Sequence, residues 1–375
     1  MENPFIVTGK IKPEYFCDRQ SEAQRIISKV TSGENIVLMA ERRIGKSKLI
    51  EYCMAQPTIA DNYLTLSIDI LRTSSINELA YELGKAVFEH AMQQGDKMRK
   101  MVVNTLKSIN ACFGYDPINN TPTFSLSLGD ISSPLYTLDE IFTCLEKADR
   151  RCIVAIDEFQ QIGSYPEKNT EAVLRTYIQQ CGNANFIFSG SERHMIEEMF
   201  REKAHPFYNS ADIMSLDVIP LDKYIEFATR LFEEFGRGIT EGAVELAYKL
   251  FEGNTYYIQK TMHELFNTTA EGCEADKQGV EQIVENIVLD NNRRFSETLS
   301  HLTLPQKELL YAISKEGKAQ RLTSALFIKK HNLRSASSVQ TSLKKLMEYH
   351  LVSTSNSVYY VNDQLMQLWL QRVNG

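Results

Sequence analysis

Over its first 220 residues the chain alternates short apolar runs with longer stretches of helical periodicity. Segments at 35–39, 63–69, 152–156, 185–191 and 212–218 read as strands, the second alternating before it turns apolar. Between them, helical patterns occupy 23–31, with Ile26, Ile27 and Val30 on one face, and then 76–92, 138–147, 171–180 and 192–200. Asp18 or Ser21 is placed to cap the first of these helices. Strands alternating with helices over about 220 residues predict a parallel sheet covered on both faces. From residue 221 the pattern becomes wholly helical, with segments at 224–235, 240–251, 255–266 and 277–289 separated by glycine-containing breaks. The last seventy residues read as three helices (305–315, 322–330, 336–349) followed by a two-stranded ribbon over 352–361, which is a winged helix-turn-helix pattern. The domains expected are therefore 1–220, a helical unit at 221–300 and a winged helix at 301–375.

The junction after the first strand carries the clearest chemistry. Residues 40–48 read Ala-Glu-Arg-Arg-Ile-Gly-Lys-Ser-Lys, and a helix opens immediately after them. Free backbone N–H groups at a helix start, aided by the helix dipole, hold anions. Gly45 would let the backbone approach a phosphate, Lys46 would reach the outer phosphates, and the Ser47 hydroxyl would ligate Mg²⁺. Ala40, Arg43, Ile44 and Lys48 complete the expected cradle. The P-loop pattern asks for glycine where Ala40 stands, so either φ stays negative there or the loop bears about 1–2 kcal/mol of strain.

The run Cys152-Ile153-Val154-Ala155-Ile156 ends in Asp157-Glu158. Carboxylates at the C-terminal end of a buried parallel strand stand where ligands bind. Asp157 is expected to hold Mg²⁺ through water, and Glu158 to orient or activate a water for attack on a γ-phosphate. Ser189 or Ser191, closing the next strand, would hydrogen-bond that phosphate or the water, or else cap the following helix.

Residues 95–135 break the rhythm. The basic residues Lys97, Arg99, Lys100 and Lys107 read as a solvated helix face, and the turn-rich, alternating stretch 113–129 predicts a small hairpin inserted into the sheet domain. A net charge of −7 argues against a surface that binds nucleic acid throughout. Residues 305–375, however, hold ten basic residues against four acidic, a net +6 that leaves −13 for the rest. On the third winged-helix segment Gln340, Thr341, Lys344 and Lys345 would face outward, with Val339, Leu343 and Leu346 inward. That surface fits DNA, or a protein partner drawn by its positive charge. Seven cysteines without a C-x-x-C pair read as reduced thiols, and no signal peptide or run of 18 apolar residues is present, so a cytoplasmic protein without membrane contact is expected.

Taken together, Phe16-x-x-Arg19-x-x-Glu22, Arg42-Arg43-x-Gly45-Lys46-Ser47, Ile156-Asp157-Glu158, Ser189-Gly190-Ser191, Gly253-Asn254-Thr255-Tyr256-Tyr257, Tyr359-Tyr360-Val361-x-Asp363 and Trp369-Leu370 resemble the prokaryotic AAA-like/STAND-type P-loop ATPases with a C-terminal winged helix. The resemblance runs over nearly the whole chain. It implies an ASCE-type sheet with Asp157 and Glu158 on the strand next but one to the P-loop strand, ATP and Mg²⁺ as ligands, and an ATPase acting as a switch. It also implies that Arg19 and Tyr256 flank the adenine, with nucleotide between sheet domain and helical lid. An assembly scaffold or a DNA-bound regulator with structural nucleotide is the alternative, and the oligomeric state stays open. Thr255 stands where the family has proline, and Phe207-Tyr208-Asn209-Ser210 where it often has Tyr-Gly-Arg. The usual transition-state arginine is thus missing; Arg193 or Arg201 would compensate, or turnover is slow or needs a partner.

Overall fold

A computed structural model describes residues 3–9, 11–93, 95–110, 113–116, 121–124, 131, 133–355 and 357–373. The chain divides into two compact units, Arg19–Val218 and a second made of Met1–Asp18 with Ile219–Gly375. The second unit thus includes the first eighteen residues, although in sequence they precede the sheet directly. Phe5 explains this: it is fully buried and packs its ring against Phe227, Phe232 and Phe266 at 5.4–5.9 Å.

The strands, in chain order, are β1 (Ile36–Met39), β2 (Leu64–Asp69), β3 (Phe113–Asp116), β4 (Thr121–Phe124), β5 (Cys152–Asp157), β6 (Ala184–Gly190) and β7 (Asp212–Ser215). Five of them form one sheet in the order β2-β5-β6-β1-β7, with every neighbouring pair parallel. All four residues of β1 and all seven of β6 are buried, as strands with partners on both edges and helices on both faces must be. Asn35 pins the start of β1, its Oδ1 accepting from Phe186 N at 2.8 Å and its carbonyl from Asp212 N at 2.8 Å. Because the strands are parallel, Met39, Asp69, Asp157 and Gly190 all arrive at one edge. The strand next but one to β1 carries Asp157, in agreement with the ASCE-type expectation.

Between β2 and β5 run helix Ile76–Gln93 and then the insert, with helices Asp96–Thr105 and Lys107–Asn110 and the antiparallel pair β3–β4. The alternating part expected beyond residue 124 lies outside the described residues. The basic residues Lys97, Arg99, Lys100 and Lys107 are exposed, and Lys97 pairs with Asp149 at 3.0 Å.

In the second unit, helices Leu221–Glu234, Glu241–Leu250, Thr255–Thr268 and Lys277–Asp290 follow the expected segments within a few residues. A two-strand pair, β8 (Gly238–Ile239) and β9 (Glu274–Ala275), escapes prediction because two residues carry no periodicity. Helix Asn292–Ser300 leads into helix Leu304–Glu316, the short strand β10 (Ala319–Gln320), and helices Ala325–Lys330 and Ala336–Glu348. The ribbon of β11 (Val352–Ser355) and β12 (Val358–Val361) follows, and β10 pairs with β12 from the other side. A final helix, Gln364–Val373, buries Trp369 and Leu370. One continuous apolar core runs from Phe5 through the helical part to Leu370.

Six cysteines among the described residues are free thiols; burial pushes Cys53, Cys144, Cys152 and Cys181 up to about 12. No helix among the described residues is long and apolar enough to cross a membrane.

Candidate nucleotide site

After Met39 the chain does not turn at once. Ala40, just past the end of β1, is fully buried, its N–H donating to the Gly190 carbonyl at 3.5 Å, and its φ is not positive. The missing glycine therefore costs nothing at this position. Left-handed backbone falls instead at Arg43 (φ 67°) and Gly45 (φ 94°). Arg43 bears about 1–2 kcal/mol of strain that a glycine would not. A Cβ at Gly45 would meet no atom within 4 Å, so the space beside this residue is open. Helix Lys46–Ala55 then starts from Gly45 as its N-cap, without a side-chain cap, leaving its first N–H groups to an anion. It is held by Leu49, Ile50 and Cys53, all buried.

Lys46 is buried, 6% exposed, and folds back over the loop with Nζ donating to the carbonyls of Ala40 and Glu41, each at 3.3 Å. Burial pushes its pKa below the ordinary lysine value, while the charges of Glu158 and Asp157 oppose the shift. The ammonium is therefore poorly solvated and would gain from a phosphate. Ile44 is buried under the loop, Glu41, Arg42 and Arg43 are exposed, and Lys48 pairs with Glu51 at 2.7 Å.

The Ser47 hydroxyl donates to Asp157 Oδ2, and the other Asp157 oxygen accepts from Ser189 Oγ at 2.6 Å and from Glu158 N at 3.0 Å. P-loop and β5 are thus tied together through Ser47 and Asp157, the two residues that the sequence assigns to one Mg²⁺, and Ser189 of β6 joins them. Glu158 sits in left-handed backbone (φ 56°) at the start of the 3₁₀ turn Phe159–Ser164 and is 9% exposed. Its Oε2 accepts from Gln160 Nε2 at 2.7 Å, Ser191 Oγ at 2.7 Å and Ser191 N at 3.2 Å. Neither serine caps the following helix Arg193–Arg201, whose N-cap Glu192 makes no side-chain cap. Asp69, opposite Asp157 in register, is a third carboxylate at this edge; burial first, then the charges of Asp157 and Glu158, raise its pKa.

Sequence reasoning misses Gln160 and Asp69. A strand ending in Asp at the same edge is the available signal for Asp69, whereas nothing in the local pattern marks Gln160.

Arg19, 4% exposed, is the N-cap of helix Gln20–Thr31 in left-handed backbone (φ 74°), so neither Asp18 nor Ser21 caps that helix. The Arg19 guanidinium donates to Glu22 Oε1 at 2.8 Å and to the Asp217 carbonyl, which fastens the helix to the chain leaving β7. Phe207, in the segment where the family often has its arginine, is fully buried and packs on Phe159 at 5.2 Å and Phe188 at 5.7 Å. That segment builds core and presents no cation. Arg201 pairs with Glu197 at 3.5 Å, at the far end of its helix from Arg193, which follows Ser191 by two positions and is half-buried.

Tyr256 belongs to the second unit, half-buried at the start of helix Thr255–Thr268, edge-on to Tyr257 at 5.2 Å. Thr255 replaces proline at no cost to the helix start, because Asn254 caps it through Tyr257 N. Tyr257 OH donates to Asp363 at 2.5 Å and Asn254 Nδ2 to Gln364 at 3.2 Å, so two sequence motifs a hundred residues apart meet here. In the winged helix Gln340, Thr341, Lys344 and Lys345 are exposed, while Val339 and Leu346 are buried and Leu343 half-buried. Lys345 pairs with Glu348 at 2.6 Å.

Residues 16–261 match the family described as an ATPase domain predominantly from Archaea, and residues 293–372 match a probable winged helix domain. No curated protein matches the chain. Among solved structures, the chain is similar to a Walker-type ATPase of Pyrococcus abyssi, with 18% identity, a TM-score of 0.65 and coverage of 98% of this chain and 99% of that one. It is also similar to the Aeropyrum pernix ORC2 protein in its ADPNP–ADP complexes, with 12% identity, TM-score 0.57 and coverage of 99% and 98%. The Aeropyrum pernix ORC1 protein in complex with DNA gives 12% identity, TM-score 0.54 and coverage of 99% and 96%. At these identities the likeness establishes the fold: a P-loop ATPase sheet with a C-terminal winged helix.

Proposed function

The chain belongs to the family of ATPase domains found predominantly in Archaea, and on that footing we propose that it is an ATP-hydrolysing molecular switch whose nucleotide state is coupled to DNA binding by the C-terminal winged helix. The observation that carries the reading is the joining of Ser47 to Asp157 at the end of a loop whose Gly45 faces open space, with the poorly solvated ammonium of Lys46 next to it in the chain.

A hydroxyl and a carboxylate brought together in this way are hard oxygen donors that fit Mg²⁺. Bound there by Ser47 and Asp157, the ion would neutralise charge on the phosphates. The cradle of residues 40–48 orients the triphosphate through its N–H groups, and Lys46 stabilises charge on the outer phosphate oxygens. Glu158 takes a proton from water as the water oxygen bonds to the γ-phosphorus. The bond from that phosphorus to the bridging oxygen breaks, and ADP leaves with the electron pair. Ser191 holds a γ-phosphate oxygen. Arg193, two residues beyond Ser191 and half-buried, is the cation in this chain best placed in sequence to assist.

Coupling within the second unit has support in Tyr257–Asp363 and Asn254–Gln364, which tie the start of helix Thr255–Thr268 to the segment entering the last helix. The exposed Lys344 and Lys345, and the net +6 of residues 305–375, favour DNA over a protein partner as the target. ORC1 of Aeropyrum pernix, of the same fold, was solved on DNA. The test measures Mg-ATP hydrolysis with and without duplex DNA. The expected result is a DNA-dependent rate; DNA that neither binds nor changes the rate refutes the coupling.

A further inference from the structure

Outside the nucleotide site, three carboxylates gather around the imidazole of His205. Glu171 faces its Nδ1, with Oε2 at 3.1 Å and Oε1 at 3.3 Å. On the other edge of the ring Glu198 Oε1 lies 3.7 Å from Nε2. One ligand atom from each of Glu198, Glu202 and His205 falls within 4.8 Å of the others. Among the described residues no lysine or arginine pairs with Glu171, Glu198 or Glu202. Their cationic neighbours are His205 and His194, whose Nδ1 stands 3.8 Å from Glu198 Oε2. Three carboxylates facing two imidazoles leave the cluster short of positive charge.

The backbone keeps these groups together. Glu202 N donates to the Glu198 carbonyl and His205 N to the Glu202 carbonyl, both at 3.1 Å. Glu198, Glu202 and His205 thus continue one side of helix Arg193–Arg201 beyond its end. Phe200 and Phe207 anchor this segment, both buried with ring centroids 5.3 Å apart, and Asn209 N donates to the Phe200 carbonyl at 3.1 Å. Glu171 comes from the first turn of another helix, Thr170–Gln180. A carboxylate on Nδ1 draws the ring proton there and leaves the Nε2 lone pair toward Glu198, which is how a metal-binding histidine is oriented. Imidazole nitrogen with carboxylate oxygen suits zinc and its neighbours, whereas Mg²⁺ prefers oxygen alone. Ligands at about 2.0–2.2 Å from a tetrahedral ion stand roughly 3.4 Å apart, so these donors need to close in by only about 1 Å. Glutamate side chains at a surface can do that by changing rotamer.

We propose that Glu198, Glu202, His205 and His194 hold a divalent transition cation of the zinc class, with Glu171 as the positioning residue for His205. The ion would staple the end of helix Arg193–Arg201 to the start of helix Thr170–Gln180. This site shares no residue with the Ser47–Asp157 pair and does not depend on the ATPase reading.

Co²⁺, whose visible absorption reports four-coordinate binding, is the probe, titrated into the full chain with Mg²⁺ in excess to occupy all-oxygen sites. One Co²⁺ per chain is expected, displaced by Zn²⁺, without the thiolate charge-transfer band that a cysteine site would add. His205→Ala and Glu202→Gln should each weaken Co²⁺ by about tenfold or more. Glu202 is exposed, so its variant decides alone if His205→Ala does not fold. Glu171→Gln should cost about 10- to 100-fold while the absorption band, set by the ligands themselves, keeps its position. Wild type that binds no Co²⁺, a thiolate band, or a ligand variant weakened less than about tenfold overturns the site. Unchanged affinity in Glu171→Gln overturns the positioning role.

Discussion

Replacing Lys46 by methionine should separate two quantities that one side chain joins. In the folded protein Lys46 donates to two loop carbonyls at 3.3 Å, longer than the usual range for such bonds. Taken at the weak end, they stabilise by about 1 kcal/mol each. Against this stands the burial of an ammonium that is only 6% exposed, a cost of several kcal/mol that Asp157 and Glu158 offset in part. The terms nearly cancel, so Lys46→Met should change folding stability by no more than about 1–2 kcal/mol, a melting shift of only a few degrees. Nucleotide affinity has no such cancellation. Losing a buried charge partner of the phosphates costs about 2–4 kcal/mol, or ~30- to 800-fold in Kd. The assays are titration with a fluorescent ATP analogue in Mg²⁺ and thermal denaturation of the nucleotide-free protein. ATP affinity within about threefold of wild type would refute the cradle. A fall of more than about 10 °C in melting temperature, corresponding to several kcal/mol, would recast Lys46 as a structural post.

Ala40→Gly restores the family's P-loop residue, yet Ala40 is fully buried and without positive φ, so the change should destabilise by roughly 0.5–1 kcal/mol and leave ATP affinity unchanged; tighter binding on titration would show the loop wanted glycine there after all. His205 is held above its ordinary 6.5 chiefly by its hydrogen bond to Glu171, at 3.1 Å. A raised folded-state value means a contribution fully present below 6.5 and lost as pH rises through the folded value. Urea unfolding from pH 6 to pH 8 should therefore show a loss of stability in wild type that His205→Ala lacks, and parallel profiles would deny the pair any role. Lys344→Gln with Lys345→Gln should weaken DNA binding and make log K less steep in log salt by up to about 2, roughly one for each phosphate that a lysine neutralises; an unchanged slope removes that helix from the interface.

The sheet is legible because its central strands β1, β5 and β6 are buried nearly throughout and alternate with amphipathic helices, the pattern of a parallel sheet. Gly45-Lys46-Ser47 and Asp157-Glu158 can be read because a phosphate cradle and a metal carboxylate need those residues at strand ends. The side-chain network between them cannot. Gln160 on Glu158 and Ser189 on Asp157 depend on β6 lying between β1 and β5, a consequence of topology that leaves no mark on spacing. Ala40 looks like a strained turn in the sequence because the P-loop pattern asks for glycine there, whereas left-handed backbone falls at Arg43 and Gly45. Phe5 is unreadable for a similar reason: its partners lie more than two hundred residues away. The two-residue strands β8, β9 and β10 are set by tertiary pairing, which no local pattern records.

The proposed chemistry turns on Glu158 acting on a water beside a triphosphate held by the P-loop. Glu158→Gln keeps the shape and removes the base, so the decisive measurement is Mg-ATP binding and hydrolysis by this variant beside wild type. An ATP Kd within about threefold of wild type is expected, with turnover reduced by about 10²-fold or more, the usual worth of a general base. Hydrolysis by Glu158→Gln at the wild-type rate would contradict that role.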